Sequence, residues 1–521
     1  MTARPLPARS RSLVIGLRAA GALVLALTLA SCGLLGAGSP STAPATVKAD
    51  PSIVASAPAG LESFYSQQVV WEPCENGFQC AKVTVPMDYS KPGGATILLA
   101  ALRAPSTGKK IGSLLVNPGG PGASGYDFVK DAASTHFSQP VRANYDLVGF
   151  DPRGVKRSAP VTCMTDAERD ASRAKIYALE TDVGLAAALA DNKAIAAQCA
   201  AQTGPVLGHI DTVSAAKDLD ILRAMVNDSK LNYLGYSYGT FLGSTYASLF
   251  PDNVGRMVLD GALDPSLSNE ELTSGQAVAF EKAIKTYAAN CLQQKSCPLS
   301  GTVDNGVQQI RDLINSIQET PRLAKDGRLV NANMFVSGLI TPLYNDESWP
   351  ALTQALEGAM TGDVSLMLRL ADLGADRGPD GKYTSNSTFA FNAINCLDYP
   401  MVSDTASMRA EQQRLMQASP TLGYFFAYGG TNCADWLYKN VRTPAPVEYT
   451  GQAPIVVIGT TGDPATPVAW AGSLRKQLGN ASLLTWRGEG HTAYGRANSC
   501  LDDAVDKYFV DGTVPADNTV C

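Results

Sequence analysis

An α/β chain is predicted, with a mostly parallel sheet covered by helices on both faces and broken by one large, mainly helical insertion. Three observations carry this. Apolar runs of strand length recur at 81–85, 95–102, 113–116, 145–150, 231–236 and 256–259. The first two follow one another directly, whereas helical patterns separate the later ones, the rhythm of parallel strands joined by crossovers. The alternation then stops after Asp260-Gly261-Ala262 and resumes only at 454–459 and 482–486. Between them, amphipathic patterns such as 274–290 and 304–317, with Gly and Pro breaks, mark 266–449 as the insertion. The core is thereby split into 61–265 and 450–521.

The N-terminal end reads differently. Residues 1–31 hold Arg4, Arg9, Arg11 and Arg18, no acidic residue, and an apolar run too short for the ~20 residues of a membrane span. They end in Leu29-Ala30-Ser31-Cys32, a pattern resembling a lipobox, so Cys32 is the expected lipidated N-terminus of an exported, membrane-tethered protein. From 32 to 60 the composition falls to Ala, Ser, Pro, Gly and Thr, which predicts a flexible tether. The whole chain has net charge −6 and the part after the leader −10, with no Lys/Arg block, so nucleic acid is not an expected partner. Oligomeric state is not legible.

Ten cysteines besides Cys32 suit five disulfides in an oxidising compartment. Pairing neighbours in order gives Cys74–Cys80, Cys163–Cys199, Cys291–Cys297, Cys396–Cys433 and Cys500–Cys521. The spacings are not of the Cys-x-x-Cys type and no histidine lies beside them, so a zinc site is not expected. No other metal or cofactor motif is present; the glycine-rich loop at 117–122 lacks the Gly-Lys of a phosphate loop.

The chemistry is carried by Gly235-Tyr236-Ser237-Tyr238-Gly239, which follows an apolar strand and opens a helical run. A serine on so sharp a turn presents a nucleophile, and glycine at both flanks lets strand and helix approach. A hydroxyl needs a base. Of the three histidines, only His491, in Gly490-His491-Thr492, follows the last core strand as the order Ser, acid, His requires; His136 and His209 read as surface-loop residues. The acid expected between them is Asp463, in Gly462-Asp463-Pro464, with Asp260 at the end of the preceding strand as its rival. An oxyanion needs fixed backbone donors. Tyr238 N–H is one, and Gly120 of Asn117-Pro118-Gly119-Gly120-Pro121-Gly122 the other, with Gly119 next. Together these predict the α/β-hydrolase fold and a serine hydrolase.

Asn117–Gly122, Gly149-Phe150-Asp151-Pro152-Arg153-Gly154, the serine pentapeptide, Asp463–Pro467 and Gly490-His491 resemble the tripeptidyl-aminopeptidase-like branch of the prolyl-iminopeptidase relatives, over nearly the whole chain after the leader. The resemblance implies peptide or ester hydrolysis, a lid between the sixth and seventh core strands, and a C-terminal segment of the tripeptidyl-aminopeptidase kind. Asn117 stands where prolyl iminopeptidases usually have His. The expected function is therefore a cell-envelope serine peptidase with an acyl-enzyme on Ser237, acting as an aminopeptidase on peptide or protein substrates. A carboxylesterase or lipase acting on envelope lipids is the alternative, and an inactive binding protein the third reading. A peptide ammonium would need a carboxylate in the lid. Asp398, beside Cys396, and Asp435, beside Cys433, are the candidates.

Overall fold

A computed structural model describes residues 44–521 of the chain. The leader and Cys32 lie outside the described residues. The strands are β1 (Ala45–Lys48), β2 (Gln68–Pro73), β3 (Gln79–Pro86), β4 (Thr96–Ala104), β5 (Gly112–Asn117), β6 (Tyr145–Phe150), β7 (Leu231–Tyr236), β8 (Val254–Asp260), β9 (Arg322–Leu323), β10 (Leu329–Val330), β11 (Ile455–Gly462), β12 (Ala481–Glu489) and β13 (Thr519–Val520). Eleven form one sheet in the order β1-β2-β3-β4-β6-β5-β7-β8-β11-β12-β13, antiparallel up to the β4–β6 pair and parallel from there on. Each apolar run named from the sequence is a strand of this sheet.

The central parallel strands β5, β6, β7 and β11 are buried on both faces over most of their length, which is why they read as unbroken apolar runs. Leu115, Tyr233, Leu259 and Val457 pack in one core with helices Thr212–Met225, Tyr238–Leu249 and Val468–Leu478. Leu114, Leu234, Val258 and Val456 pack in the other, with helices Gly125–Ala132 and Ser499–Asp511.

The expected tether runs too far. Its residues 45–48 form β1, paired with β2 from Ala45↔Trp71 to Lys48↔Gln68. Ala49 and Ile53 after it are buried in the core. Composition hid them because one short strand and one isoleucine suffice when the sheet edge supplies the partners.

The insertion lies between β8 and β11, the sixth and seventh strands when the count begins at β3. It has its own core, where Ile284 and Tyr287 meet Ile310, Phe335, Leu339 and Leu356. Its first two helices, Asn269–Cys291 and Val303–Glu319, start at capping boxes on Ser268 with Glu271 and Thr302 with Asn305. A second excursion, between β6 and β7, was not read from the sequence. Its helices Asp166–Arg173 and Asp182–Thr203 join the insertion through Arg377–Asp170 at 2.7 Å, Arg173–Asp372 at 2.9 Å and Asn192–Thr431 at 3.1 Å. All five disulfides pair as expected, a set that fits an exported protein.

Asp398 ties the insertion to the body. Its carboxylate is fully buried and accepts Thr212 N–H at 2.9 Å and Thr212 Oγ1–H at 2.5 Å, and Thr212 Oγ1 also bonds the Tyr238 hydroxyl at 2.5 Å. Burial outweighs these donors and pushes the Asp398 carboxyl up to about 7. The unfolded carboxyl titrates near ~3.9. The folded chain thus keeps this proton between about pH 4 and 7, where the unfolded chain has released it. The associated stability is present below that window and lost as pH rises through it. Asp398→Asn, which mimics the protonated form, should flatten the fall in Tm between pH 5 and pH 8 relative to wild type. An unchanged slope in paired thermal melts would contradict this titration.

Candidate active site

The C-terminal ends of β5, β7, β8 and β11 come level, with Asn117 beside Gly235, Tyr236 beside Asp260, and Asp260 beside Ile458. Ser237 sits at this edge with φ 56° and ψ −123°, a strained conformation for a residue with a side chain. The turn tolerates no flanking side chain. A Cβ on Gly235 would lie 2.3 Å from the Gly239 carbonyl oxygen, and one on Gly239 would lie 2.7 Å from that of Asn117.

His491 follows β12, and its Nδ1 lies 2.8 and 2.9 Å from the two carboxylate oxygens of Asp463. Asp463 is buried and also accepts Ala465 N–H, Thr466 N–H and Thr466 Oγ1–H, each at 2.8 Å, which fixes its plane. His491 Nε2 is buried and makes no hydrogen bond among the described residues. With Nδ1–H donating to the carboxylate, Nε2 is left as the nitrogen with a free lone pair.

Serine and histidine meet the same peptide unit. Ser237 N–H donates to the Asp260 carbonyl at 2.8 Å, and a Cβ on the next residue, Gly261, would come 3.2 Å from His491 Cε1 and 3.1 Å from Thr466 Oγ1. The Asp260 side chain has another task. It is completely buried and accepts Ala493 N–H at 2.9 Å and Tyr494 N–H at 2.8 Å, holding the backbone of the histidine loop while Asp463 holds the ring. Burial is the main reason its carboxyl rises to about 7. The rivalry between the two aspartates therefore ends in a division of labour.

The glycine-rich loop Asn117–Gly122 lies against the turn. A Cβ on Gly119 would touch Ser237 Cβ at 2.8 Å and the Tyr236 carbonyl oxygen at 2.6 Å. Gly119 N–H is committed to Asn117 Oδ1 at 2.9 Å, so Asn117 shapes the loop from below. Gly120 and Tyr238 line the same cavity as Ser237, and neither backbone N–H donates a bond within the protein among the described residues.

The two acids expected to hold a substrate amine are not in that cavity. Asp398 faces Thr212 behind its wall, and Asp435 is an exposed partner of Lys193 at 3.1 Å. The Cys396–Cys433 bridge does hold the wall, as Asn432 and Cys433 line the cavity, but the aspartates beside the two cysteines turn elsewhere. His136 is not a surface-loop residue. Its Nε2 bonds the Tyr236 hydroxyl at 2.7 Å, and its ring stands edge-on to Phe128 and Tyr494. Tyr344 of the insertion was missed. Its carbonyl accepts His491 N–H at 2.8 Å and its ring stands edge-on at 5.4 Å. No motif surrounds it, and only the fold brings it there.

Residues 419–521 match the family model described as TAP-like protein. The chain is 38% identical over 476 residues to serine protease Hip1 of Mycobacterium tuberculosis strain H37Rv, covering 87% of this chain and 91% of that one. It is 39% identical over 512 residues to carboxylesterase B of the same strain, covering 95% and 98%. It is 32% identical over 474 residues to the tripeptidyl aminopeptidase of Streptomyces coelicolor, covering 87% and 85%. On this similarity, which runs through both halves of the core and the insertion, the chain belongs to the tripeptidyl-aminopeptidase-like family of α/β-hydrolases.

Proposed function

We propose that this chain is a serine peptidase that releases short peptides from free N-termini through an acyl-enzyme on Ser237. One observation carries the reading: a strained serine shares the Asp260-Gly261 peptide with a histidine that is bound on one nitrogen to a buried carboxylate and unbonded on the other. His491 Nε2 takes the proton as Ser237 Oγ attacks the scissile carbonyl, and Asp463 stabilises the imidazolium formed. The oxyanion is met by the N–H groups of Tyr238 and Gly120, two cavity-lining residues whose N–H groups donate no bond among the described residues. The imidazolium returns its proton to the departing amine, and water repeats the sequence to release the acyl peptide.

Names of relatives support the peptide bond as target, since two are a serine protease and a tripeptidyl aminopeptidase. A second reading, hydrolysis of small esters, is supported by the carboxylesterase among them and by the cavity itself. At about 200 Å³ it is smaller than the ~300–1,000 Å³ of drug-sized sites, which suits a short acyl group better than a long lipid chain. The exported body is held to the membrane by a lipid on Cys32 in this proposal, on the strength of Leu29-Ala30-Ser31-Cys32 and the basic leader.

Ser237→Ala should abolish both turnover and fluorophosphonate labelling, and His491→Ala should cost nearly as much. The double variant should lose scarcely more than either, because the groups act as a unit. Turnover by purified Ser237→Ala would refute the acyl-enzyme. The two aspartates should separate by measurement. Asp463→Asn should lower kcat by roughly 10³–10⁴-fold. Asp260→Ala should lower Tm as well as activity, because the buried N–H groups of Ala493 and Tyr494 lose their acceptor at about 1–3 kcal/mol each. Equal Tm values for wild type and Asp260→Ala would remove the loop-anchoring role. Product masses from paired free and N-acetylated peptides and small esters separate aminopeptidase from endopeptidase and esterase. Equal cleavage of free and acetylated peptides would exclude the aminopeptidase. Mass analysis of membrane-extracted protein should find a diacylglycerol on Cys32, and an unmodified N-terminus would exclude the anchor.

A further inference from the structure

The cavity beside Ser237 has no charged side chain on its wall among the described residues. Part of the wall is apolar, from Leu263, Leu272 and Met401. The rest is rich in amides: Asn269 and Gln276 come from one helix, Asn392 and Asn395 from another, and Asn432 from the turn beside the Cys396–Cys433 bridge. Two of these amides have already committed one of their two N–H donors. Gln276 Nε2 donates to the Ala465 carbonyl at 2.9 Å, and Asn395 Nδ2 donates to the Phe391 carbonyl at 2.9 Å. Their side-chain oxygens accept no bond among the described residues, which leaves them as neutral acceptors on the wall.

Three charged side chains next to the lining residues are engaged elsewhere. Asp398 is closed off by Thr212, and Asp264 accepts from Ser266 and Gln477 at 2.6 Å. Arg442 lies over the Phe241 ring at 4.5 Å and the Tyr399 ring at 5.4 Å, with its guanidinium donating to the Pro265 carbonyl. An ionised side chain entering the cavity would shed water and gain no counter-charge, a loss that neutral side chains avoid.

We propose that this cavity is the acyl-side specificity pocket and that it takes an uncharged residue, apolar or amide-bearing, while rejecting Lys, Arg, Asp and Glu. The proposal rests on Ser237 as the acylated nucleophile and names the substrate class of that same site. The apolar wall receives the side-chain body, and the oxygens of Gln276 and Asn395 accept N–H donors from the bound acyl segment. A cationic side chain would find acceptors there but no anion, and an anionic one would find amide donors but no cation.

The test uses the full chain and a set of short peptides with a fluorogenic leaving group, varied only at the residue that supplies the scissile carbonyl: Leu, Met, Gln, Lys and Asp. Each acyl group is also offered as an ester, and rates are normalised to enzyme titrated with fluorophosphonate. For wild type, kcat/KM on Leu, Met and Gln should exceed that on Lys and Asp by more than tenfold. Asn395→Asp should raise the Lys-to-Leu ratio by at least tenfold, and Gln276→Glu provides the same readout from the opposite wall should the first variant fail to fold. Lys or Asp substrates turned over as fast as Leu by wild type would overturn the pocket while leaving the acyl-enzyme intact. Unmoved ratios in the folded charge variants would do the same. An absence of labelling, with no turnover of any amide or ester, would overturn the acyl-enzyme and the pocket with it.

Discussion

The arrangement depends on Asp260, where one residue holds two loops that must meet. Its main-chain oxygen accepts the N–H of Ser237, and its carboxylate accepts the N–H groups of Ala493 and Tyr494 two and three residues beyond His491. The backbone strain at Ser237 is worth about 1–3 kcal/mol. The bond to Asp260 and the bonds from Thr240 N–H and Oγ1–H to the Ser237 carbonyl, at about 0.5–1.5 kcal/mol each, are enough to offset it. Burying the carboxylate is unfavourable, as its upward-shifted pKa records, and the backbone donors of the histidine loop are what keep it in place. Nucleophile and base thus take their relative position from a group that need not touch substrate.

The insertion supplies most of the remaining wall and fastens itself through buried carboxylates. Glu281 accepts Ser419 Oγ–H, Thr421 N–H and Thr421 Oγ1–H at 2.8–3.0 Å, closing the end of helix Thr405–Ala418 onto helix Asn269–Cys291. Asp398 does the equivalent toward Thr212, and through Thr212 reaches the hydroxyl of Tyr238, the residue after the nucleophile. Tyr344 reaches the other side, with its carbonyl on the histidine N–H. Lid and catalytic loops are therefore one hydrogen-bonded body and not a cap resting on a finished site.

The serine turn and the Asp463–His491 pair were legible because chain order and local grammar constrain them. A strand, a glycine-flanked serine and a helix leave one site for the nucleophile, and only one histidine follows the last core strand. The choice of Asp463 over Asp260 was correct for the ring contact, yet sequence could not assign Asp260 its backbone role, since a buried acceptor looks the same as a loop aspartate in a string of letters. The motif around Arg153 was similarly visible without its meaning. The side chain is fully buried, paired with Asp218 through two 2.7 Å bonds, and braces the loops below the sheet edge. The misreading of Asp398 and Asp435 has a definite cause. The expected bridge forms, but Asp398, at the end of helix Ser387–Asp398, turns inward to Thr212, while Asn392 and Asn395, in the turns before it, meet the cavity. Adjacency to a disulfide fixed their neighbourhood and left their direction open.

The pairing of Ala45–Lys48 with the sheet edge changes the geometry of any attachment at Cys32. Only twelve residues lie between the cysteine and Ala45, and the thirteen steps along the chain span at most ~45 Å even when fully extended. A tether reaching to residue 60 would have had about twice that reach. Were Cys32 the attachment point, a body held so short would work as a surface enzyme with a shallow patrol volume: it would meet what lies within roughly its own diameter of the bilayer, and substrates further out would have to diffuse to it.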